Sequence, residues 1–288
     1  MGALRSCEYS SIIDYRDLQK VAPEVINRDI QLSIEAEFQK ASNSGRFTLM
    51  EERPDAAHEL AELADGLFIY SSTIVRYLVS HRNFAVDIYD KLLESQGSIG
   101  PPRLYERLNM LYCTILRNSF GEFDHDVVHM GHIRVVLTWL AIAYHPLSAR
   151  RLRYAGIPTS VTMDVIDRLL SVLVVGEGIT LDSCMKPCHA SFPQFLLDET
   201  RCQEAAFLVE PSSGHHLIAA SLLDFMVYYD LSVPLKEVPY ELEEEEGYTE
   251  DEDIASKWML DHGNAFWTDY TTRARCTEQL GQCIRTFT

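Results

Sequence analysis

The sequence has few basic residues for its length. Lys and Arg number 25 against 43 Asp and Glu in 288 residues, so the formal net charge is −18. A protein that binds nucleic acid needs basic surface to neutralise phosphates. We therefore expect no nucleic acid as the main partner.

The acidic excess is concentrated in one stretch. Residues 241–253 contain nine acids in thirteen positions. Without them the net charge is 25 − 34 = −9, so the remainder of the chain is only mildly acidic. A run of this composition is typical of a solvated linker. We predict an acidic linker over residues 236–253.

Long apolar runs and paired cysteines are also missing. The longest apolar stretch, residues 135–144, is ten residues long, and a membrane span needs about 20. The seven cysteines are scattered without a CxxC pair, and the first ten residues lack a secretory apolar run. These features predict a cytoplasmic protein without a membrane partner. Residues 1–6 (MGALRS) fit the short myristoylation pattern, which leaves acylation of Gly2 an open alternative.

Common catalytic motifs are absent. The chain contains no GxxxxGK[ST] phosphate loop, GxGxxG, GxSxG or HExxH. Each of these motifs holds backbone amides or ligands at a fixed spacing that its chemistry requires. We therefore expect no enzyme activity from this chain alone and no cofactor bound by it alone.

What the sequence does contain is helical periodicity. Apolar residues recur at steps of three and four over residues 60–78, which predicts one long hydrophobic helix there. Comparable spacing predicts helices that start at Pro23 and that cover residues 84–93, 104–116, 212–231 and parts of 254–287. The fold class predicted is mainly α.

The pattern between residues 123 and 200 is more specific. A long helix over residues 125–144, a short one that ends at Gly156 and a third over 161–170 precede apolar residues 172–175 and 179–181. Gly176 and Gly178 flank the turn between those two runs, which predicts a small β-hairpin. Three helices followed by a hairpin are typical of a winged helix.

These patterns divide the chain into six predicted ranges. They are a weakly structured leader (1–22), a helical lid domain (23–122), a winged-helix domain (123–200), the start of a helical region (201–235), the acidic linker (236–253) and a C-terminal helical segment (254–288).

Two alternative functions arise from side-chain clusters. His125, His129 and His132 have the spacing of one helix face and would suit a metal-binding helical protein. A helix N-terminus that happens to be rich in histidine is the simpler interpretation, and we assign no metal residues. The other alternative is a winged helix that binds nucleic acid, with Arg168 on its recognition helix and Arg150, Arg151 and Arg153 on the preceding one.

Several short segments, in this order, resemble one family. They are residues 25–30 (VINRDI), 64–70 (ADGLFIY), 111–112 (LY) with 115–116 (IL), 146–148 (PLS), 170–173 (LSVL) and 189–192 (HASF) with 195–196 (FL). Together they resemble the region that follows the nucleotide-binding core in fungal NACHT proteins, which are signalling ATPases of the STAND class. The resemblance covers roughly residues 22–235.

The resemblance implies a helical lid and a winged helix that close over ADP in the resting state of a larger protein. Gly66, with Phe68 where related proteins carry proline, is similar to the motif near the adenine. His189 is similar to the histidine that reaches the nucleotide phosphates; a histidine bonded only to neighbouring backbone is the alternative. The partners implied are a separate or missing NACHT core and other copies of this chain, and ADP or ATP would bind only where that core is supplied. The alternatives of a true start at Met1 and of a fragment both stay open.

Overall fold

A computed structural model describes residues 21–45, 47–96, 105–176, 178–228 and 250–287. Within these residues the chain is mainly helical, with one small antiparallel sheet. None of the helices in these ranges is both long and apolar enough to cross a membrane.

The chain divides into two compact units, Met1–Lys91 and Leu92–Thr288. Residues 1–20 of the predicted leader and 236–249 of the predicted linker lie outside the described residues. The domain ranges derived from the sequence stay predictions.

In its described residues the first unit contains five helices, the last of which crosses the boundary at residue 91. They are α1 (Pro23–Asn43), α2 (Leu49–Glu52), α3 (Ala56–Ala64), α4 (Phe68–Ser80) and α5 (Ala85–Gln96), with a 3-10 turn at Arg82–Phe84. Helix α1 packs against α3 and α4. Ile30, Ile34 and Phe38 lie one helical turn apart on α1, and all three are buried. A spacing of four residues places the three side chains on one face of the helix, and this face packs into the core of the unit.

The prediction of a single helix over residues 60–78 is wrong, because the helix is interrupted between α3 and α4. Asp65 and Gly66 both adopt left-handed backbone conformations, with φ of +46° and +79°. Glycine takes this conformation without a Cβ clash, and it ends many helices. The apolar repeat continues across the break because both helices contribute to the same core.

The second unit contains eight helices and both strands in its described residues. The helices are α6 (Glu106–Phe120), α7 (Val127–Ile142), α8 (Ala149–Arg153), α9 (Thr159–Arg168), α10 (Ser191–Leu196), α11 (Pro211–Tyr228), α12 (Glu250–Arg273) and α13 (Glu278–Phe287). The strands are β1 (Leu173–Val174) and β2 (Lys186–Pro187). Helix α12 begins at Glu250, so its first turns fall within the range expected as linker.

The small sheet forms next to helices α7 to α9. Strands β1 and β2 pair antiparallel, with Leu173 opposite Pro187. Leu147, between α7 and α8, forms a further antiparallel bridge with Met185. The backbone order in this region is therefore helix, bridge residue, two helices and a hairpin.

A hairpin is present, but the prediction of its second strand is wrong. Residues 179–181 do not pair with β1; Lys186–Pro187 does. Met185 is 1% exposed beside the sheet, whereas Ile179 and Leu181 are 40% and 37% exposed. Burial of Met185 fixes the register. Just before it, the chain turns at residues 180–183, where Ser183 Oγ accepts the Thr180 N–H at 2.9 Å.

The C-terminal helices pack on α11. Helices α12 and α13 both contact it, and α12 also contacts α8. Gly263 of α12 lies against Met226 of α11, where a Cβ would come within 2.8 Å of the methionine sulfur. The described part of this segment is helical, and α11 is the element it packs on most extensively.

Candidate functional site

His189 follows strand β2 and precedes helix α10. The Cys188 N–H donates to the Val172 carbonyl at 2.9 Å, which extends the hairpin by one bond. The side chain of His189 then turns back, and its Nδ1 accepts the backbone N–H of Ser191 at 3.1 Å. Because Nδ1 is an acceptor, the hydrogen of the neutral ring is on Nε2. His189 is an exposed residue, so its Nε2–H is the ring group that remains to donate to a ligand.

A buried hydrogen-bond chain holds this ring in place. Ser191 Oγ lies 2.8 Å from His189 Nδ1, and the hydroxyl of Tyr112 lies 2.8 Å from Ser191 Oγ. Tyr112 is fully buried on α6, where its ring packs against Phe192 and Phe195 at centroid distances of 5.1 and 5.3 Å. The orientation of an exposed imidazole thus depends on the packing of α6 against α10.

Arg201 adds a cation to the same region. Its Nε donates to Asn109 Oδ1 at 3.0 Å, and its Nη2 lies 3.5 Å from the Ser191 carbonyl oxygen. The guanidinium also lies 5.9 Å from the ring centroid of Tyr105. The sequence interpretation missed roles for Tyr112, Ser191 and Arg201, although the first two lie in the segments that carry the family resemblance. For these two, their place in those segments was the available signal, but the sequence did not show that residues 111–112 and 189–192 meet.

Gly66 and Phe68 lie in the first unit, whereas His189 lies in the second. Gly66 has the left-handed conformation described above, and its Cβ position would lie 3.8 Å from Ile26 Cγ2. Phe68 is the first residue of α4 and is 49% exposed. The turn therefore presents an aromatic ring to solvent at a helix start.

The histidine cluster does not have the geometry that the metal-binding alternative requires. Helix α7 begins at Val127 with Asp126 as its N-cap, so His125 lies before the helix and is out of register with His129. The His129 ring packs on Phe123 at 4.2 Å between centroids. Among the described residues, no group of three histidine, cysteine or acidic side chains is arranged to hold a metal ion.

Two thiols of the second unit, Cys202 and Cys113, are poorly suited to chemistry. Burial raises the pKa of the Cys202 thiol to about 11, with a smaller contribution from Cys113. Burial also raises the pKa of Cys113. A thiol with a raised pKa stays protonated at neutral pH, so it is neither a good nucleophile nor a ready metal ligand.

Arg150, Arg151 and Arg168 of the nucleic-acid alternative have acidic or aromatic partners. Arg168 is bound by Asp164 and Glu122, at 2.8 and 2.7 Å. Arg150 makes two hydrogen bonds to Asp182, at 2.7 and 2.9 Å, which hold the pKa of that carboxyl below its usual range. Arg151 is stacked over a tryptophan ring on α12 at 4.2 Å.

Comparison with known proteins gives no match: no family model fits the chain, and neither the curated proteins nor the solved structures include a significant relative.

Proposed function

We propose that the chain is the regulatory and interaction segment of a NACHT-like signalling ATPase. In this proposal, residues 23–122 act as a helical lid and residues 123–200 as a winged helix. The pair closes on ADP in the resting state, and the chain has no ATPase activity by itself. The nucleotide-binding core belongs to a larger product or to a separate chain.

The observation that carries the proposal is the fixed imidazole of His189. A phosphate oxygen is an acceptor, so it requires a donor, and Nε2–H is the form that the Ser191 contact selects. The family segments at residues 111–112 and 189–192 meet through the Tyr112–Ser191 hydrogen bond. A role on a nucleotide explains why a buried chain of hydroxyls would hold an exposed ring.

The element order around α7, α8 and α9 is consistent with this proposal. A bridge residue between the first two helices and a hairpin after the third are the parts that a winged helix contains. In the lid, the turn at Gly66 with the exposed ring of Phe68 would lie toward the adenine. Phe68 would contribute an aromatic surface there instead of a proline.

A winged helix that binds nucleic acid is less well supported. Its phosphate contacts would need Arg168 and Arg150, and both are already neutralised by acids within the second unit. Breaking those pairs would cost part of the electrostatic gain, and the net charge of −18 opposes approach of a polyanion. The metal-binding alternative loses support because His125 lies outside α7.

The decisive experiment begins with the transcript. We expect its mapped 5′ end to include an in-frame upstream segment that encodes a phosphate loop; where it does not, another gene is expected to encode the core. ADP affinity is then measured by calorimetry for the assembled protein and for two variants, His189→Ala and His125→Ala. The second is a matched control, since His125 is an exposed histidine of the same unit.

We expect His189→Ala to weaken ADP binding about tenfold, which corresponds to one hydrogen bond to a charged group of about 1.5 kcal/mol. His125→Ala should leave the affinity unchanged. Micromolar ADP binding by residues 1–288 alone would contradict the proposal, because the core would then be unnecessary. Equal affinities for both variants would remove His189 from the site.

A further inference from the structure

The first turns of helix α7 carry the two most exposed large apolar side chains among the described residues. Val127 is 82% exposed and Val128 is 70% exposed. Val135, which lies about two turns after Val128 on the same side of the helix, is half-buried and extends the apolar surface along α7. Single exposed apolar residues are common, but a contiguous patch on an ordered helix marks a contact site.

Gly131 lies in the middle of this face. It follows Val127 by four residues, which places both on one side of α7. Gly131 is exposed, and a Cβ there would have no packed neighbour within 4 Å. A glycine inside a helix costs about 1 kcal/mol relative to alanine. Packing within the chain does not require this glycine, whereas a second helix can approach closely at a position that has no side chain.

Charges of opposite sign lie at the two ends of the face. Asp124 lies in the turn before α7, and Arg134 follows Gly131 by three residues; both are exposed. Within the described part of the chain, neither has an ion-pair partner. The face is therefore acidic at its N-terminal end, apolar in the middle and basic at its C-terminal end. Such a face is complementary to a copy of itself that runs in the opposite direction.

We propose that this face of α7 binds the same face of a second copy of the chain, antiparallel, with the two-fold axis near Gly131. Val128 of each copy then lies opposite Arg134 of the other. Asp124 of the facing copy is four residues from that point, about 6 Å along the helix axis, which is within reach of an arginine side chain. A parallel pair would place Arg134 beside Arg134 and lose both ion pairs.

The small size of the face predicts a weak dimer. Two turns of one helix offer less area than the roughly 800 Å² per partner of a standard interface, and the net charge of −18 opposes association. At about 0.15 M salt, repulsion beyond about 8 Å is screened, while the close contacts of Asp124 with Arg134 persist. We expect a dissociation constant on the order of 100 μM. The inference needs no nucleotide and is independent of the role proposed for His189.

The first test is sedimentation equilibrium of the complete chain in about 0.15 M salt, up to a concentration several times the expected constant. Val128→Asp should weaken the dimer at least tenfold, because it places two carboxylates in the apolar contact. Ile254→Asp is the control, since Ile254 is an apolar residue of α12 that is 60% exposed, and it should leave the dimer unchanged. A wild-type chain that stays monomeric, or equal effects of the two substitutions, would overturn the proposal.

The second test exchanges the charges. Arg134→Glu and Asp124→Arg each bring like charges together in the antiparallel pair, so each variant alone should dimerise about tenfold more weakly. A mixture of the two variants should form a heterodimer of wild-type affinity, because both contacts then join opposite charges again. Arg275→Glu, at an exposed arginine of the same unit, should have no effect. Recovery in the mixture also shows that both variants are folded, and a mixture no tighter than its components would disprove the antiparallel arrangement.

Discussion

Acid should loosen the second unit through His262, a buried histidine of α12. The residue is 3% exposed and has aromatic neighbours on several sides. Trp258 stacks on its ring at 4.8 Å between centroids, with an interplanar angle of 11°, and Phe266 packs at 5.0 Å. Its Nε2 lies 3.3 Å from the Tyr270 hydroxyl, while its Nδ1 is buried without a hydrogen-bond partner. A charged ring would therefore be poorly solvated at this position.

The size of the effect follows from the pKa of His262. Burial, with smaller contributions from His145 and Arg151, lowers this pKa from 6.5 to about 4. The unfolded chain binds the proton at pH 6.5, and the folded chain does so only near pH 4. The stability that the neutral ring provides is thus complete above pH 6.5 and is lost as the pH falls towards 4. Linkage gives a loss of about 2 kcal/mol at pH 5 relative to pH 8.

The assay compares urea unfolding at pH 8 and pH 5 for the wild type, His262→Phe and His125→Ala. Phenylalanine preserves the aromatic packing but cannot titrate, so the difference between the two pH values should shrink by about 2 kcal/mol. The His125 variant should retain the wild-type difference. Burial and the charge of Arg273 also lower the pKa of His215, so some pH dependence will remain in every variant. An unchanged pH difference in His262→Phe would refute this reasoning.

The remaining predictions concern glycines. Gly66→Ala should destabilise the chain by about 1–2 kcal/mol, because the φ of +79° is strained for any residue with a Cβ. Gly131→Ala, on α7 with open space around the new methyl group, should stabilise it by about 0.5–1 kcal/mol; urea unfolding checks both signs, and equal signs would contradict the argument. Gly214→Ala would place a Cβ 2.3 Å from Ile142 Cδ1, so we expect a loss of about 1–3 kcal/mol. Adding Ile142→Val removes the clashing methyl group, and a double-mutant cycle should show partial recovery; strict additivity would exclude the clash.

Helices were predictable wherever one face of the element is buried. The repeat of Ile30, Ile34 and Phe38 identified α1 because each of these residues is in the core. Val25 and Leu32 are apolar residues of the same helix, yet they are 50% and 53% exposed. Periodicity therefore locates a helix better than it identifies the individual residues that face the core.

Pairings between distant residues were not predictable in the same way. Choosing Met185 over Ile179 as the residue beside the sheet depends on the space left by Leu147, which is far away in sequence. Gly66 is a residue type that often ends a helix, but the apolar repeat on both sides of it favoured one continuous helix. In both places, tertiary packing decided between two local structures that the sequence allows equally.

The candidate site illustrates the same limit at the level of one hydrogen atom. A sequence shows that His189 lies near Ser191, but the tautomer depends on which nitrogen accepts the Ser191 N–H. That choice depends in turn on Tyr112, which reaches Ser191 from a helix 79 positions away in the chain. Because a donor at Nε2 suits a phosphate oxygen and an acceptor there would not, the packing of α6 on α10 determines which ligand chemistry His189 can serve.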